Sequence, residues 1–259
     1  MTLAEPTSHR IAVLASGRGS NLQAIIDATV QGHLAARIAA VIGDRAEAFA
    51  LQRARKAGIV AQALAPEDFA DRDAYDAALA DLVASHRPGL VVLAGFMRVI
   101  GGLFVRRFTG RILNIHPSLL PAYPGLDTHK RVLEAGERET GASVHFVTEA
   151  LDAGPLIAQA RMPIRPGDRA RDLAARVLEL EHVIYPQVIG WFAAGRLEMR
   201  EGRAWLDGAA LDPPIAGSAQ QTSQAAGVDR CAERDRRLQK AADIINQSLR
   251  VSDEKSSAS

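Results

Sequence analysis

Short apolar runs alternate with longer amphipathic stretches through the first half of the chain, and this alternation constrains the fold more than any other feature. The apolar runs cover 11–15, 38–42 and 90–94, and 111–115 and 143–147 are predicted as further strands. Uninterrupted apolar strands are typical of a parallel sheet, because the crossover helices cover both of its faces. The sequence therefore predicts an α/β fold with a doubly wound, mostly parallel, Rossmann-like sheet.

The amphipathic stretches predict the helices of this fold. Three of them cover 22–30, 46–57 and 73–86, each between two of the apolar runs. A longer helix is expected after Asp168, which has the side chain of an N-cap. Its apolar residues recur at helical spacing as far as Pro186, where we expect the helix to bend or end.

Composition divides the chain into three parts. Residues 1–9 form an N-terminal extension, and residues 10–212 carry the strand and helix patterns, ending in a predicted hairpin at 197–206 that turns at Glu201-Gly202. From 213 to 259 the chain is rich in Ala, Ser, Gln and charge and contains no aromatic residue. We expect this last part to be a flexible tail, disordered or marginally helical.

Charge and cysteine content narrow the function class. Lys and Arg total 31 against 30 Asp and Glu, so the basic excess expected of a nucleic-acid partner is missing. The single Cys231 allows no internal disulfide, and no apolar run approaches the ~20 residues of a membrane span. Residues 1–10 have no apolar segment of a secretory signal. We expect a cytoplasmic enzyme with small-molecule substrates, no membrane partner, and a monomeric or homodimeric state.

A glycine-rich loop, SGRGSN at 16–21, joins the first strand to the first helix. Glycines let a backbone approach a ligand, and a helix N-terminus favours phosphate. A dinucleotide fingerprint needs a third glycine where Leu22 stands, and the Gly-Lys-Ser/Thr of a Walker loop is missing. Asp44 after the second strand could still bind a ribose, so a nicotinamide (NAD) oxidoreductase, a nucleotide-binding module and a simple tight turn remain open.

The residues best suited to chemistry are Asn114, His116 and Asp152. Asn114 and His116 end a predicted strand two residues apart, so their side chains project to the same face. Ligands of open α/β sheets bind beyond the carboxyl ends of the strands, and Pro117 is expected to leave the His116 ring exposed there. An amide can stabilise an oxyanion and an imidazole can move a proton. A structural histidine and a turn aspartate are the alternatives.

Asp152 is expected to return to the same crevice, where a carboxylate beside an imidazole favours its charged form. A metal site is the other alternative for the seven histidines. No two of them are spaced i, i+4, and there is no HExxH motif, which argues against metal.

Five motifs in order resemble the glycinamide ribonucleotide formyltransferases of purine biosynthesis. They are ASGRGSNLQAI (15–25), LAGFMR (93–98), NIHPSLLP (114–121), SVHFV (143–147) and LDAGP (151–155). The resemblance spans about residues 10–212 and implies the Rossmann-like formyltransferase fold. It also implies formyl transfer from 10-formyltetrahydrofolate, as co-substrate, to the amine of 5-phosphoribosylglycinamide, without a metal because the formyl carbon is already electrophilic.

The resemblance also assigns residues. Asn114 and His116 would stabilise or protonate the tetrahedral intermediate, and Asp152 would keep His116 protonated and oriented. The ribonucleotide would be bound by Gly19, Ser20, Asn21, Leu178, Glu179, Leu180 and Glu181. The folate would be bound by Arg72, Met97, Arg98, Val99, Ile100, Asn114, Thr148, Glu149, Ala150, Leu151 and Asp152.

Two sister activities share this catalytic set. Formyltetrahydrofolate deformylase, a hydrolase, carries a regulatory domain before the glycine loop, whereas 15 residues precede Ser16 here. Methionyl-tRNA formyltransferase adds a C-terminal β-barrel, for which residues after Pro214 are too polar. One departure from the family pattern is Arg18, where a smaller polar residue is common. It would add positive charge near the phosphate.

Overall fold

Residues 10–217 are described by the computed structural model of the protein, and they lie within the compact unit Met1–Ser218. Their strands are β1 (Arg10–Leu14), β2 (Arg37–Gly43), β3 (Ala61–Ala63), β4 (Leu90–Leu93), β5 (Ile112–His116), β6 (Glu139–Phe146), β7 (Leu156–Pro163), β8 (Leu197–Arg200), β9 (Arg203–Leu206), β10 (Ala209–Ala210) and β11 (Ile215–Gly217). Their helices are α1 (Ser20–Val30), α2 (Phe49–Lys56), α3 (Arg72–Ser85), α4 (Gly102–Arg107), α5 (Thr128–Glu134) and α6 (Ala170–Ala193).

The main sheet has eight strands in the order β11-β7-β6-β5-β4-β1-β2-β3. Strands β3, β2, β1, β4 and β5 run parallel, whereas β6 is antiparallel to both of its neighbours, β5 and β7. The prediction of a doubly wound, mostly parallel sheet is confirmed. The antiparallel β6 is a departure that the predicted strand at 143–147 did not indicate.

Both faces of the sheet are covered, as continuous apolar strands require. Val13, Val92 and Leu113 face a cluster that includes residues of α1, α2 and α6, and Leu14 and Val91 face a second cluster with α3 and α4. The Tyr185 hydroxyl of α6 lies 2.8 Å from the carbonyl oxygen of Leu93 and 3.0 Å from that of Leu113. It anchors α6 at the end of β4 and near the start of β5.

Helix α6 corrects two expectations. Its N-cap is Arg169, because the Asp168 carboxylate instead accepts from the Arg165 amide at 2.8 Å and pairs with Arg176 at 2.6 Å. The helix also continues through Pro186 to Ala193, so the expectation that it ends there is wrong, while a bend at Pro186 stays a prediction. A proline costs one backbone hydrogen bond inside a helix, but core packing of the residues around it holds the helix together.

The predicted hairpin is confirmed, and its turn is made by Glu201 and Gly202 with φ of 50° and 71°. Two positive φ values match the twist of a tight hairpin. The prediction that the tail begins at residue 213 is wrong, because Ile215–Gly217 forms an edge strand that pairs with β7. The rest of the predicted tail, including Cys231, and the extension 1–9 lie outside the described residues.

Candidate active site

Asn114 lies at the carboxyl end of the parallel strands, on β5, directly opposite His145 of the antiparallel β6. The Asn114 Nδ2 atom is 3.1 Å from His145 Nε2. The other ring nitrogen of His145 donates to the carbonyl of Phe146 at 2.9 Å. Nε2 is therefore the acceptor of the neutral ring and receives one Asn114 N–H. The second N–H of that amide remains for a ligand.

His145 is a member of the site that the sequence did not identify. Its side chain is buried, and burial lowers its pKa against the opposing effects of the Phe146 carbonyl and Asp152. A low pKa keeps the ring neutral, as its acceptor role requires. His145 lies within the motif SVHFV (143–147). Its pairing with Asn114, however, depends on the antiparallel register of β5 and β6, which no local pattern indicates.

His116 is held at both ring nitrogens. Nε2 lies 2.9 Å from the Tyr123 carbonyl oxygen, and since a carbonyl only accepts, Nε2 carries a proton. Nδ1 lies 3.4 Å from Asp152 Oδ2. The expectation that Pro117 leaves this ring exposed is wrong, because the residue is only 5% exposed and the loop after β5 returns to bond it.

Asp152 reaches this site from the loop between β6 and β7, as the sequence predicted. Its backbone has a φ of 49°, and its Oδ2 accepts from the Gly125 amide at 2.8 Å. The other oxygen, Oδ1, is 3.8 Å from His145 Nε2. The carboxylate therefore lies between two histidine rings, and Asn114, His116 and Asp152 are linked through direct contacts and His145.

A buried polar network fixes the loop that contacts His116. The Ser143 hydroxyl donates to the Ser118 carbonyl at 2.7 Å and accepts from the Leu120 amide at 3.0 Å. The Gln159 amide donates to the Leu120 carbonyl at 2.7 Å. These bonds, none of which the sequence indicated, hold the loop in the shape that brings the Tyr123 carbonyl to His116.

The glycine loop precedes α1, whose first turn has no side-chain cap and no acidic residue. Gly19 has a φ of 69°, and a Cβ there would lie 2.7 Å from the Ala50 backbone. This glycine is thus required by its conformation and by close packing against α2. Ser20 and the following residues leave helix N-terminal amides available, which suits an anion.

Asn21 connects the glycine loop to α6. Its Nδ2 donates to Glu181 Oε2 at 2.7 Å, and both side chains are buried. Burial raises the pKa of Glu181, and the bond from Asn21 opposes this rise. Of the other α6 candidates, Leu180 is buried, Leu178 is half-buried and Glu179 is exposed. Among the hydrogen bonds of the described residues, Glu181 is the one of the four that bonds to the glycine loop.

The candidate folate residues of loop 97–101 are tied by their backbone and leave apolar side chains exposed. The Met97 amide donates to Ser16 Oγ at 2.9 Å, and Arg72 Nη2 donates to the Val99 carbonyl at 2.7 Å. Met97 is 69% and Val99 is 56% exposed, while Ile100 packs against the core. Exposed apolar side chains on a fixed loop can bind a flat, partly apolar ligand.

The second candidate folate segment is the loop 148–152. Leu151 is exposed, and Glu149 pairs with Arg106 of α4 at 2.9 Å. Thr148 Oγ1 lies 3.4 Å from the Ala150 carbonyl oxygen. The Arg106 pair connects this loop to the helix that directly follows loop 97–101.

Asp44 does not offer an accessible carboxylate for a ribose, because one oxygen is bonded to Arg98 and the other, Oδ1, is buried without a hydrogen-bond partner among the described residues. Its Oδ2 receives a hydrogen bond from Arg98 Nε at 3.0 Å, and the side chain is buried. The interpretation of Asp44 as a ribose-binding acid is therefore not supported by the geometry. Within residues 10–217, no three His, Cys, Asp or Glu side chains converge as a metal site, and no helix is long and apolar enough to cross a membrane.

Comparison with known proteins gives a consistent picture. The formyl transferase family model matches residues 9–189. The Escherichia coli (strain K12) protein named phosphoribosylglycinamide formyltransferase is 54% identical over 203 residues, which are 78% of this chain and 96% of that protein. A Coxiella burnetii structure of the same name has a TM-score of 0.76 at 50% identity, covering 80% of this chain and 98% of that one.

A formyltetrahydrofolate deformylase from Pseudomonas syringae shares the fold at lower similarity. Its TM-score is 0.70 at 24% identity, over 76% of this chain and 65% of the deformylase. At that identity the likeness concerns the fold alone.

Proposed function

The chain belongs to the formyl transferase family, and we propose that it transfers the formyl group of 10-formyltetrahydrofolate to the amine of 5-phosphoribosylglycinamide in purine biosynthesis. The products are formyl-phosphoribosylglycinamide and tetrahydrofolate. The observation that carries the proposal is the contact of His116 with Asp152 beside Asn114, in a chain 54% identical to a protein named for this reaction. We expect it to act in the cytoplasm, as a monomer or homodimer.

The ribonucleotide is assigned to the glycine-loop side of the site. The free amides at the start of α1 favour its phosphate, which Gly19, Ser20 and Asn21 would bind. Glu181 would contact the same substrate from α6, since it already lies against Asn21. Leu178, Glu179 and Leu180 complete this proposed subsite on the same turn of the helix.

The formyl donor is assigned to the two loops on the other side. Met97, Val99 and Leu151 expose apolar surface that a flat ring system could cover. The remaining members of the proposed folate site are Arg72, Arg98, Ile100, Asn114, Thr148, Glu149, Ala150 and Asp152. Arg72 supplies positive charge at the outer edge, which suits an acidic part of the donor.

The proposed chemistry is direct attack of the amine on the formyl carbon. A new C–N bond forms and gives a tetrahedral intermediate whose oxygen carries negative charge. The free N–H of Asn114 donates to that oxygen, and His116 donates to it once its Nε2–H leaves the Tyr123 carbonyl for the substrate. Collapse breaks the bond between the formyl carbon and the folate nitrogen, which takes a proton while the attacking amine loses one. Asp152 orients His116 through Nδ1 and balances its charge.

A product assay tests the reaction and the acceptor together. The protein is incubated with 10-formyltetrahydrofolate, with and without 5-phosphoribosylglycinamide, and both formylated ribonucleotide and formate are measured. We expect formylated ribonucleotide only when the amine is present. Formate release that does not depend on the amine would instead identify the hydrolase, and a folded protein inactive in both tubes would contradict both activities.

An NADH titration separates the remaining alternative, the nicotinamide oxidoreductase or nucleotide-binding module. Asp44 already pairs with Arg98, so we expect no NADH-dependent change in absorbance. Saturable binding of NADH would support that alternative instead.

A further inference from the structure

Asp76 is a buried carboxylate on α3 that no part of the proposed reaction uses. It is 4% exposed, and aspartates are rarely buried without partners because the charged form loses its hydration. Burial raises its pKa, while Arg72 and the backbone amide of Gly101 lower it. Both of these partners lead to loop 97–101, whose Met97, Arg98, Val99 and Ile100 are assigned to the formyl donor.

The contact with Gly101 is close enough to exclude a side chain. A Cβ at Gly101 would collide with Asp76 Oδ2. The φ of Gly101 is −74°, which any residue adopts, so the glycine is required here by space and not by conformation. The end of loop 97–101 is thereby held against the Asp76 carboxylate.

The second contact runs through Arg72. Arg72 Nε lies 3.5 Å from Asp76 Oδ2, and its Nη2 donates to the Val99 carbonyl at 2.7 Å. The carboxylate thus orients a guanidinium that bonds the middle of the loop. Because the Arg72 side chain is 59% exposed, part of its guanidinium still faces solvent, where a donor carboxylate could reach it.

We propose that Asp76 is a positioning residue for the formyl donor, which holds Gly101 and orients Arg72 so that loop 97–101 is fixed before the donor binds. The inference rests on the proposed function for its substrate. The start of the loop is tied independently, by Ser16 to Met97 and by Asp44 to Arg98. Loss of Asp76 would therefore loosen one end of the loop and leave the other in place.

The test compares Asp76→Asn with Asp73→Asn, an exposed carboxylate on the same helix. Asn keeps the size of the side chain and an acceptor for Gly101 but removes the charge that orients Arg72. We expect Asp76→Asn to raise KM for 10-formyltetrahydrofolate about tenfold, as loss of a bond to a charged group does. The kcat and the ribonucleotide KM should change by about twofold or less, as should all three values in Asp73→Asn.

Gly101→Ala provides a second variant in which every charge is kept. The added methyl group displaces Asp76, so we expect the same selective rise in the donor KM. In an Arg72→Ala background, Asp76→Asn should raise the donor KM much less than it does alone, because the shared contact is already lost. Full additivity of the two substitutions would contradict the role of Asp76 through Arg72.

Amide hydrogen exchange of peptides covering 97–101 keeps this test separate from the proposed function. Asp76→Asn should speed exchange in that segment and leave the β5 peptides unchanged. Unchanged exchange, or an active wild type whose donor KM is the same in Asp76→Asn, would overturn the inference alone. An equal loss in kcat and both KM values would also overturn it, because it would indicate a general structural role. A wild type that transfers no formyl group would contradict the proposed function. Amide exchange in peptides 97–101 would still show whether Asp76 fixes the loop.

Discussion

The two sides of the candidate site are held together in opposite ways. Around His116, buried and half-buried polar groups bond to one another: its ring contacts the backbone carbonyl of Tyr123 and the Asp152 carboxylate, and Asn114 contacts His145. In loop 97–101 the backbone is tied, whereas Met97 and Val99 remain exposed. The polar groups of the first region bond mainly to one another, whereas the second region exposes apolar side chains that a ligand could cover.

The difference follows from what each region is proposed to do. Proton transfer and oxyanion stabilisation depend on distances of a few tenths of an ångström, so the groups must be fixed before the substrate arrives. Binding a flat donor depends mainly on apolar area removed from water. We therefore expect changes near His116 to lower kcat, and changes in the exposed loops to raise the donor KM.

The largest effect is expected from His116→Ala. Removing a general acid or base lowers kcat by about 10²–10⁴, and the ribonucleotide KM should change little because His116 does not bind the phosphate. Steady-state kinetics of formyl transfer provides the measurement. His33→Ala, at an exposed histidine just beyond the C-terminal end of α1, is the matched control. A fall in kcat of less than about tenfold would show that the role assigned to His116 is wrong.

Met97→Ala should have a smaller and different effect. The side chain is exposed without ligand, so its loss should leave the melting temperature unchanged and raise the donor KM roughly threefold to tenfold, from the apolar area no longer covered. Val30→Ala, at another exposed apolar side chain, should change neither value. A lower kcat with an unchanged donor KM would contradict the expectation that the exposed loop affects binding of the donor and not the chemical step.

Glu181→Gln tests, through the melting temperature, the effect of burying the Glu181 carboxyl against Asn21. Burial raises the pKa of Glu181 above its ordinary value of 4.5, so the folded chain keeps this proton to higher pH than the unfolded chain. The folded state then binds more protons between the two values, and its stability falls as pH rises through them. Gln does not titrate. The difference in melting temperature, Glu181→Gln minus wild type, should therefore be more positive at pH 7 than at pH 4.

The exposed Glu179 on the same helix offers the control for this measurement. Glu179→Gln makes the same change in charge without removing a buried carboxyl, so it measures what the loss of the charge alone does to the melting temperature at each pH. A relative melting temperature of Glu181→Gln that is equal at both pH values would contradict the effect of burial.

The smallest effect on activity is expected from truncation, since β11 lies at the sheet edge and pairs with β7, a strand that carries none of the proposed catalytic residues. A chain ending after Asp212 loses the strand that pairs with β7, and its melting temperature should fall by a few degrees, about 1 kcal/mol of stability. Ending after Gly217 should leave the melting temperature unchanged. Both chains should keep the wild-type kcat at 25 °C, and a large loss in either would mean that the removed residues contact the site.

Much of the fold was predictable because it depends on local pattern. Apolar runs marked the strands of the parallel sheet, and turn residues such as Glu201-Gly202 marked the hairpin. The pattern could not reveal the direction of β6, since an apolar strand reads the same whichever way its neighbours run. Helix α6 does not end at Pro186, which was one of the two expected alternatives, because a local rule does not account for the core packing around that residue.

The site divides in the same way. By itself, the sequence predicted which side chains would carry the chemistry, because Asn114 and His116 share a strand face through the two-residue period and the motifs mark Asp152. Only the tertiary structure decided their partners. His145 meets Asn114 through the register of β5 with β6, and Asp76 meets loop 97–101 from a separate helix. Such contacts join residues distant along the chain, and no local periodicity encodes the packing that brings them together.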